Sequence, residues 1–192
     1  HFVVASGNQY YQLRDLFSGY YDELSFVAEN GAFVKDQRQL VFTADIPRET
    51  VDLVIDVCRE YPEISNVVCG LNSAYCERGS VDQDFFDLTN IYYHRLQWVD
   101  DFKEIKDQIL KFAPTVPIEK TYDYYDIFRE RLAGKIDPTT SGHGSIDLIF
   151  PGCHKAQGLE RLVKRWGISP DQCVAFGDGG NDIEMLKYCG QS

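Results

Sequence analysis

Several patterns that would assign a protein to a common class are missing from this sequence. No Cys-x-x-Cys pair occurs among the six cysteines, and their scattered spacing favours reduced thiols over a zinc site or a disulfide framework. No apolar run approaches the ~20 residues of a membrane-spanning helix. No signal-peptide pattern is found within the 192 residues. We therefore expect a cytoplasmic protein that has no membrane partner.

Basic clusters are scarce as well. The chain has 19 Lys and Arg against 30 Asp and Glu, which gives a formal net charge of -11. Such a chain is repelled by nucleic-acid phosphates unless it has a strong basic patch, and the densest basic stretch is only Arg161, Lys164 and Arg165. We expect no nucleic-acid partner. An acidic protein that handles an anionic substrate is instead expected to bring a metal cation to the site.

The chain does contain the material for a substantial core, with 44% hydrophobic residues, 12 Tyr and 12 Phe. Strand and helix patterns alternate at both ends of the chain, which predicts an α/β fold with a parallel sheet. The middle of the chain is predicted to be an α+β insertion that ends in a polar linker at 139–145. Strands are predicted at 2–5, 25–28, 32–34, 39–42, 66–69, 109–113, 146–150 and 173–176. Helices are predicted at 9–17, 47–61, 83–90, 101–108, 122–132, 156–166 and 183–188. Asn30-Gly31 predicts a hairpin turn.

The sharpest motif is a glycine-rich acidic loop in which Gly177 and Gly179 flank Asp178, with Asp182 four residues further on. The loop lies between a predicted strand and a helix, where open α/β sheets bind ligands. Two carboxylates at this spacing can face one cation, and Mg²⁺ prefers oxygen ligands while it keeps waters and substrate phosphate. The alternative is an ordinary turn in which Asn181 or Asp182 caps the last helix.

Two further turns also lie between a predicted strand and a helix. Lys155 begins a helix, where its positive charge is unfavourable because it opposes the macrodipole. Binding of a phosphate by this lysine would explain why a cation lies at that position. Ser6, Gly7 and Asn8 follow the first strand and can form a small anion-binding cradle. The plainer interpretations are a solvated surface lysine and a serine helix cap, and His154 is not expected to be a catalyst. If the strands are parallel, all three turns meet at one edge of the sheet.

The order of these turns resembles that of the haloacid dehalogenase superfamily, which has a Ser or Thr after its second strand, a Lys at a helix start and a G-D-x-x-N-D loop. The finer resemblance is to the Cof-type branch and to enterobacterial sugar phosphatases within it. The segments that carry it are FVAENGA (26–32), CGLNSAY (69–75), YHRL (93–96), SIDLIFPG (145–152), KAQGL (155–159) and DGGNDIEML (178–186).

The resemblance implies a Rossmann-like core with a parallel sheet, formed by residues 1–45 and 145–192. It also implies an inserted α/β cap of the C2B type at 46–144, which closes over the substrate. The roles implied for single residues are as follows: Ser6, Gly7, Asn8 and Asn181 bind phosphate, Lys155 holds the phosphate and orients the nucleophile, Asp178 ligates Mg²⁺, and Asp182 supports the metal and the lysine. Lys155 and Asp182 would be the catalytic residues within these 192.

The sequence departs from the family pattern at the family's first motif, D-x-D-G-T, which holds the nucleophile and the general acid/base. The sequence has D-x-D only at Asp82-Gln83-Asp84, inside the predicted cap. We expect the motif on a β-loop-helix unit of about 30 residues before His1, and further elements after Ser192. These 192 residues alone are therefore expected to be inactive. The whole protein is expected to hydrolyse sugar phosphates or similar small phosphorylated metabolites with Mg²⁺, through an aspartyl-phosphate.

Two other functions stay open. One is phosphotransfer between sugars by a transferase or mutase of the same superfamily, which an alcohol-acceptor assay would reveal. The other is a metabolite-binding domain without turnover, which the loss of an upstream D-x-D motif would indicate. Tyr75, His94 and Arg95 are candidates for contacting sugar hydroxyls or for packing within the cap. The exact substrate and the oligomeric state are left open by the sequence.

Overall fold

A computed structural model of the chain describes residues 1–192, apart from the side chain of Ser141. Over the described residues it has six α-helices and ten β-strands in two sheets. The helices are α1 (Tyr10–Leu16), α2 (Arg48–Arg59), α3 (Gln83–Thr89), α4 (Thr121–Arg131), α5 (Lys155–Trp166) and α6 (Ile183–Tyr188). The strands are β1 (Val3–Ala5), β2 (Ser25–Ala28), β3 (Phe33–Asp36), β4 (Gln39–Thr43), β5 (Val68–Gly70), β6 (Ala74–Glu77), β7 (Leu96–Val99), β8 (Ile109–Phe112), β9 (Asp137–Gly142) and β10 (Ser145–Ile149).

The chain forms two compact units. The first unit comprises His1–Ala44 and Gly152–Ser192, and its sheet has the order β1-β2-β3-β4. β1 and β2 are parallel, and β2, β3 and β4 are antiparallel neighbours. α5 packs on this sheet, where its Leu162 is buried with Val27 and Val34. A β-carbon at Gly158 would lie 2.4 Å from Val27 Cγ1, so glycine lets α5 approach β2 closely.

The second unit comprises Asp45–Pro151 and contains a six-stranded sheet of order β7-β6-β5-β8-β10-β9. Its neighbouring strands are antiparallel, except that β6 and β7 are parallel. α2 and α4 contribute to the main core of this unit, together with Phe112 and Leu148 of the sheet. α2 has an apolar face at helical spacing, and its four members are buried: Val51, Val54, Ile55 and Cys58.

The α/β class is confirmed, and five of the predicted helices lie within a residue of α1, α3, α4, α5 and α6 at each end. The hairpin at Asn30-Gly31 is also confirmed, since Ala28 pairs with Phe33 across the turn. Both turn residues have left-handed φ angles, 55° and 99°. No helix among the described residues is both long and apolar enough to cross a membrane.

The strand predicted at residues 146–150 is confirmed as β10, but the sheet predicted for these residues is wrong. They were expected to form a parallel strand of the core, but β10 pairs antiparallel with β8 and β9 inside the second unit. The predicted linker at 139–145 belongs largely to β9, which turns into β10 through His143 and Gly144. An apolar run indicates a buried strand without naming its sheet. The second unit therefore ends after β10, at Pro151, rather than at residue 144.

Two other element predictions fail. Residues 173–176 form a single bridge, Val174 with Gln191, instead of a strand. Val174 and Phe176 are 57% and 89% exposed. A strand acquires its burial and its hydrogen bonds from neighbouring strands, and this segment has only the one bridge among the described residues. Residues 101–108 contain one 3-10 turn, Phe102–Glu104, instead of an α-helix.

Candidate active site

Four turns of the first unit meet through side-chain contacts. They are the serine turn after β1 (residues 6–8), the asparagine turn after β2 (Glu29–Gly31), the start of α5 and the acidic loop (residues 177–182). Three of them were predicted to converge, on the assumption that each follows a parallel strand. They do converge, but Lys155 arrives by the packing of α5 against β2, since the strand before α5 belongs to the other unit.

The serine turn is built by Ser6. Its N–H donates to the carbonyl of Val27 at 2.9 Å, and its Oγ accepts from the N–H of Asn8 at 3.1 Å. The cap residue of α1 is Gln9, so the interpretation of Ser6 as a helix cap is wrong. Because Ser6 Oγ accepts that N–H, the hydroxyl still has its own hydrogen to donate.

Lys155 is buried, with 6% of its surface exposed, so the solvated-lysine interpretation is wrong. Its Nζ donates to Asp182 Oδ1 at 2.7 Å and to Asn181 Oδ1 at 3.1 Å. An ammonium has three hydrogens, and a third donor is thus available to an anion. His154 is the N-cap residue of this helix, and its Nδ1 accepts the N–H of Gln157 at 3.3 Å.

Asp182 ties the acidic loop to this lysine. Its Oδ2 accepts from the N–H groups of Gly179 at 3.0 Å and Asp178 at 3.2 Å. A β-carbon at Gly177 would lie 2.6 Å from Asp182 Cβ, so the loop needs glycine there. Burial alone would raise the pKa of Asp182, but the hydrogen bond and charge of Lys155 and the two N–H groups outweigh it and lower that pKa below its usual value.

Asp178 differs from Asp182 because its side chain is exposed. The oxygens of Asp182 accept from Lys155 and the main chain, which leaves Asp178 as the exposed carboxylate of this loop. No group of three or more His, Cys, Asp or Glu able to hold a metal occurs among the described residues. A Mg²⁺ ion that takes one carboxylate and completes its shell with waters and phosphate fits this donor set through Asp178.

Asn30 is the site residue that the sequence did not reveal as one. It is 1% exposed, and its Oδ1 accepts from Asn181 Nδ2 at 3.1 Å, while its N–H donates to the carbonyl of Ser6 at 3.1 Å. The Asn-Gly pair was interpreted only as a hairpin signal, which is also correct. A sequence pattern that is sufficient to predict a turn does not show whether a side chain of that turn is buried against another loop.

The candidate residues of the second unit have other contacts. Tyr75 is half-buried and its hydroxyl donates to Asp107 Oδ2 at 2.9 Å, which supports the packing alternative for this residue. His94 and Arg95 are exposed and lie between α3 and β7. Asp82 of the D-x-D sequence caps α3, accepting the N–H of Phe85 at 2.8 Å.

The similarity to known proteins extends over the whole chain. Residues 1–192 match the family model described as haloacid dehalogenase-like hydrolase. The chain is 41% identical over 191 residues to the 5-amino-6-(5-phospho-D-ribitylamino)uracil phosphatase YbjI of Escherichia coli K12, covering 100% of this chain and 70% of that protein. It is 24% identical over 191 residues to the Bacillus subtilis phosphatase YitU, named for the same substrate, covering 96% and 67%. The crystal structure of SMU.1108c from Streptococcus mutans UA159 superposes with a TM-score of 0.93 at 33% identity, covering 100% and 73%.

Proposed function

Because the chain belongs to the family of haloacid dehalogenase-like hydrolases, we propose that its protein is a Mg²⁺-dependent phosphatase of small phosphorylated metabolites. One observation carries the proposal. The ammonium of Lys155 is buried at the meeting point of the site's turns, bonded to both Asp182 and Asn181. A buried charge is costly unless it is paired and hydrogen-bonded, and a phosphate oxygen would be the natural third acceptor for this ammonium.

The first unit supplies the groups that bind the phosphoryl. We assign one phosphate oxygen to the third hydrogen of Lys155 and another to the hydroxyl of Ser6, with the backbone of Gly7 and Asn8 beside it. The amide of Asn181 donates to the same group. Donors fixed in place before the reaction stabilise the charge that develops on a transferring phosphoryl, and most of the catalysis in such reactions has this origin.

Asp178 would hold Mg²⁺ through its exposed carboxylate, together with waters and the substrate phosphate. When bound, the ion supplies positive charge that neutralises the phosphoryl oxygens. Asp182 has a different role, because it fixes the main chain of Asp178 and Gly179 and holds the ammonium of Lys155. It positions the metal ligand without being one.

The covalent step is the part of the proposal that rests on the family resemblance alone. The first aspartate of D-x-D-G-T attacks phosphorus in line, and the bond from phosphorus to the leaving alcohol breaks. The second aspartate gives the alcohol its proton and then takes one from the water that hydrolyses the aspartyl-phosphate. The 192 residues do not contain this motif, so the activity is assigned to the full-length protein.

The names of the relatives suggest a substrate. YbjI and YitU are named for 5-amino-6-(5-phospho-D-ribitylamino)uracil, a phosphate ester of a sugar alcohol joined to a pyrimidine. We propose a phosphomonoester of a sugar or sugar alcohol as the substrate class. Recognition of its leaving group is assigned to the second unit, acting as the cap, and phosphoryl transfer to the first.

The test is phosphate release by the full-length protein from a panel that contains this ester and common sugar phosphates, with and without Mg²⁺. The Asp178→Ala variant is compared with Asp171→Ala, which removes another exposed aspartate of the same unit. We expect Mg²⁺-dependent release that Asp178→Ala abolishes and Asp171→Ala retains. A folded wild-type protein that releases no phosphate from any ester would refute the proposal, and transfer to an added alcohol instead of water would change it to a phosphotransferase.

A further inference from the structure

Asn30 has two notable features, of which its turn requires only the first. It adopts a left-handed φ of 55°, and its side chain is buried to 1% exposure. Gln37, in the next turn of the same sheet, has nearly the same φ of 51° but is exposed. The left-handed backbone thus serves both turns, whereas only the Asn30 side chain is enclosed. Its burial has to be explained by what its amide contacts.

The amide of Asn30 determines which way the amide of Asn181 points. Asn181 Nδ2 donates to Asn30 Oδ1, and the opposite end of the same amide, Oδ1, accepts from Lys155 Nζ, both at 3.1 Å. If the Asn181 amide were reversed, its NH₂ group would face the ammonium, and a donor cannot bond a donor. An acceptor on Asn30 therefore favours the one orientation in which Asn181 also binds Lys155.

Asn30 also contacts the serine turn. Its N–H donates to the carbonyl of Ser6, and a β-carbon placed on Gly7 would lie 3.0 Å from Asn30 Oδ1. The same hypothetical atom would lie 3.5 Å from Asn181 Nδ2. Asn30 thus lies against both groups that are assigned to the phosphate, the serine turn and the Asn181 amide.

We propose that Asn30 is a positioning residue that orients the Asn181 amide for phosphate. Asn30 takes one of the two hydrogens on Asn181 Nδ2 and directs the other toward the phosphate beside Gly7, while Asn181 Oδ1 holds Lys155. The inference rests on the proposed function of this site and adds a residue that makes no contact with the reacting atoms.

The test exploits the backbone of the turn, because glycine adopts a left-handed φ without strain. Asn30→Gly should therefore remove the amide and leave the turn intact, and Gln37→Gly makes the same change at the exposed turn. In the full-length protein we expect kcat/KM to fall roughly 10- to 100-fold for Asn30→Gly, the effect of one misplaced buried hydrogen-bonding group. Gln37→Gly should retain the wild-type value.

A double-mutant cycle separates positioning from simple loss of packing. A carboxylate at position 181 accepts from Lys155 with either oxygen, so it needs no partner to orient it. In the Asn181→Asp background, Asn30→Gly should change kcat/KM less than about threefold, which is far below its effect in the wild type. An equal loss in both backgrounds would overturn the proposal.

A second measurement keeps this inference separate from the proposed function. Exchange of the Asn181 side-chain amide hydrogens with solvent, followed by NMR, should be slow in the wild type and in Asn30→Asp, which keeps an acceptor. It should be faster in Asn30→Gly, and equal exchange in wild type and Asn30→Gly would refute the positioning role even if the protein is a phosphatase. If the wild type releases no phosphate, the proposed function fails while the exchange result still decides whether Asn30 orients Asn181. Should Asn30→Gly not fold, loss of protection in Asn30→Asp would overturn the inference.

Discussion

Each unit of the molecule buries a lysine–aspartate pair, and the two pairs have similar local geometry. In the first unit, Lys155 Nζ and Asp182 Oδ1 are 2.7 Å apart with side chains 7% and 8% exposed. In the second unit, Lys111 Nζ and Asp147 Oδ1 are 2.9 Å apart with side chains 2% and 6% exposed. From distance and burial alone, both pairs would be assigned the same role.

The backbone around each pair distinguishes them. Lys111 and Asp147 lie on neighbouring strands, β8 and β10, whose main-chain groups are paired by the sheet. Lys155 starts a helix and Asp182 ends a glycine-rich loop, and Asp182 also binds two main-chain N–H groups of that loop. Buried ion pairs seldom improve stability over apolar residues of similar volume. We infer that the loop pair is present for its chemistry and that the sheet pair can be replaced.

The largest expected difference between the pairs is in activity. Lys155→Met should lower kcat of the full-length protein by roughly 100- to 1,000-fold or more, since it would remove the donor that we propose for the phosphoryl. Lys111→Met should keep kcat per folded molecule. Either change leaves a buried aspartate without its cation and should lower the free energy of unfolding by about 3–5 kcal/mol.

These two variants are measured by phosphate release and by urea denaturation at low temperature. The activity is divided by the folded fraction, so that a loss of stability is not mistaken for a loss of chemistry. A Lys111→Met protein that folds but has lost its turnover would mean that the sheet pair also serves the reaction, and the contrast between the units would then be wrong.

Replacing both members of each pair should sharpen the contrast in stability. Lys111→Met with Asp147→Leu should unfold within about 1–2 kcal/mol of the wild type, because apolar residues of similar volume often replace a buried ion pair without loss of stability. Lys155→Met with Asp182→Leu should remain roughly 2–6 kcal/mol less stable, because two loop N–H groups lose their acceptor at about 1–3 kcal/mol each. Recovery of stability in the loop pair, by the same denaturation assay, would show that Asp182 does not hold the loop.

Acid should reveal the same role of Asp182. Burial would raise the pKa of this carboxyl in the folded protein, but Lys155 and the N–H groups of the loop outweigh burial and lower that pKa. The stabilisation is therefore complete above the unfolded pKa of about 3.9 and is lost as pH falls through the lower folded pKa. The stability gap between wild type and Asp182→Asn should be constant from about pH 7 to 5 and should shrink below about pH 4.

Asp36 provides the control for this titration. Burial would raise its pKa, but hydrogen bonds from Ser25, Trp166 and Arg165 lower it. Asp36→Asn should therefore show the same narrowing of the gap in acid, by urea denaturation from pH 7 to 3, with unchanged phosphate release at neutral pH. A gap for Asp182→Asn that widens in acid would reverse the sign of the argument.

The helices could be predicted from the sequence because their signals are local. α5 shows apolar residues at helical spacing with Gly167 beyond its end, and the structure places Gly167 in a left-handed cap. Strand partners are not local. Residues 146–150 and 173–176 are both short apolar runs, yet one lies between two antiparallel neighbours and the other makes a single bridge. Nothing within a run of five residues specifies which strand will pair with it.

In the site, too, local features could be predicted from the sequence, whereas contacts between distant residues could not. The acidic loop, Lys155 and the serine turn have residue types whose chemistry points to an anion and a cation, and the structure brings these turns together. The separate roles proposed for Asp178 and Asp182 were implied by the family resemblance alone, because the residue types do not show which carboxylate accepts the loop's own N–H groups. Asn30 was hidden for a related reason, because its partner Asn181 is 151 residues away in the chain.

The smallest expected effect concerns how each lysine is held. The sheet supports Lys111 from both sides, whereas the turn before Lys155 depends on His154, whose Nδ1 caps α5 and whose carbonyl lies against Gly31. His154→Ala should cost about 1 kcal/mol of unfolding free energy, the usual value of an N-cap. His154→Ser restores a side-chain acceptor and should recover most of that loss, in stability and in the few-fold decrease of kcat/KM that accompanies a loosened Lys155. If serine and alanine are equally harmful in denaturation and turnover assays, the imidazole does more than cap the helix. Lys155 would then depend on a contact that Lys111 has no need of.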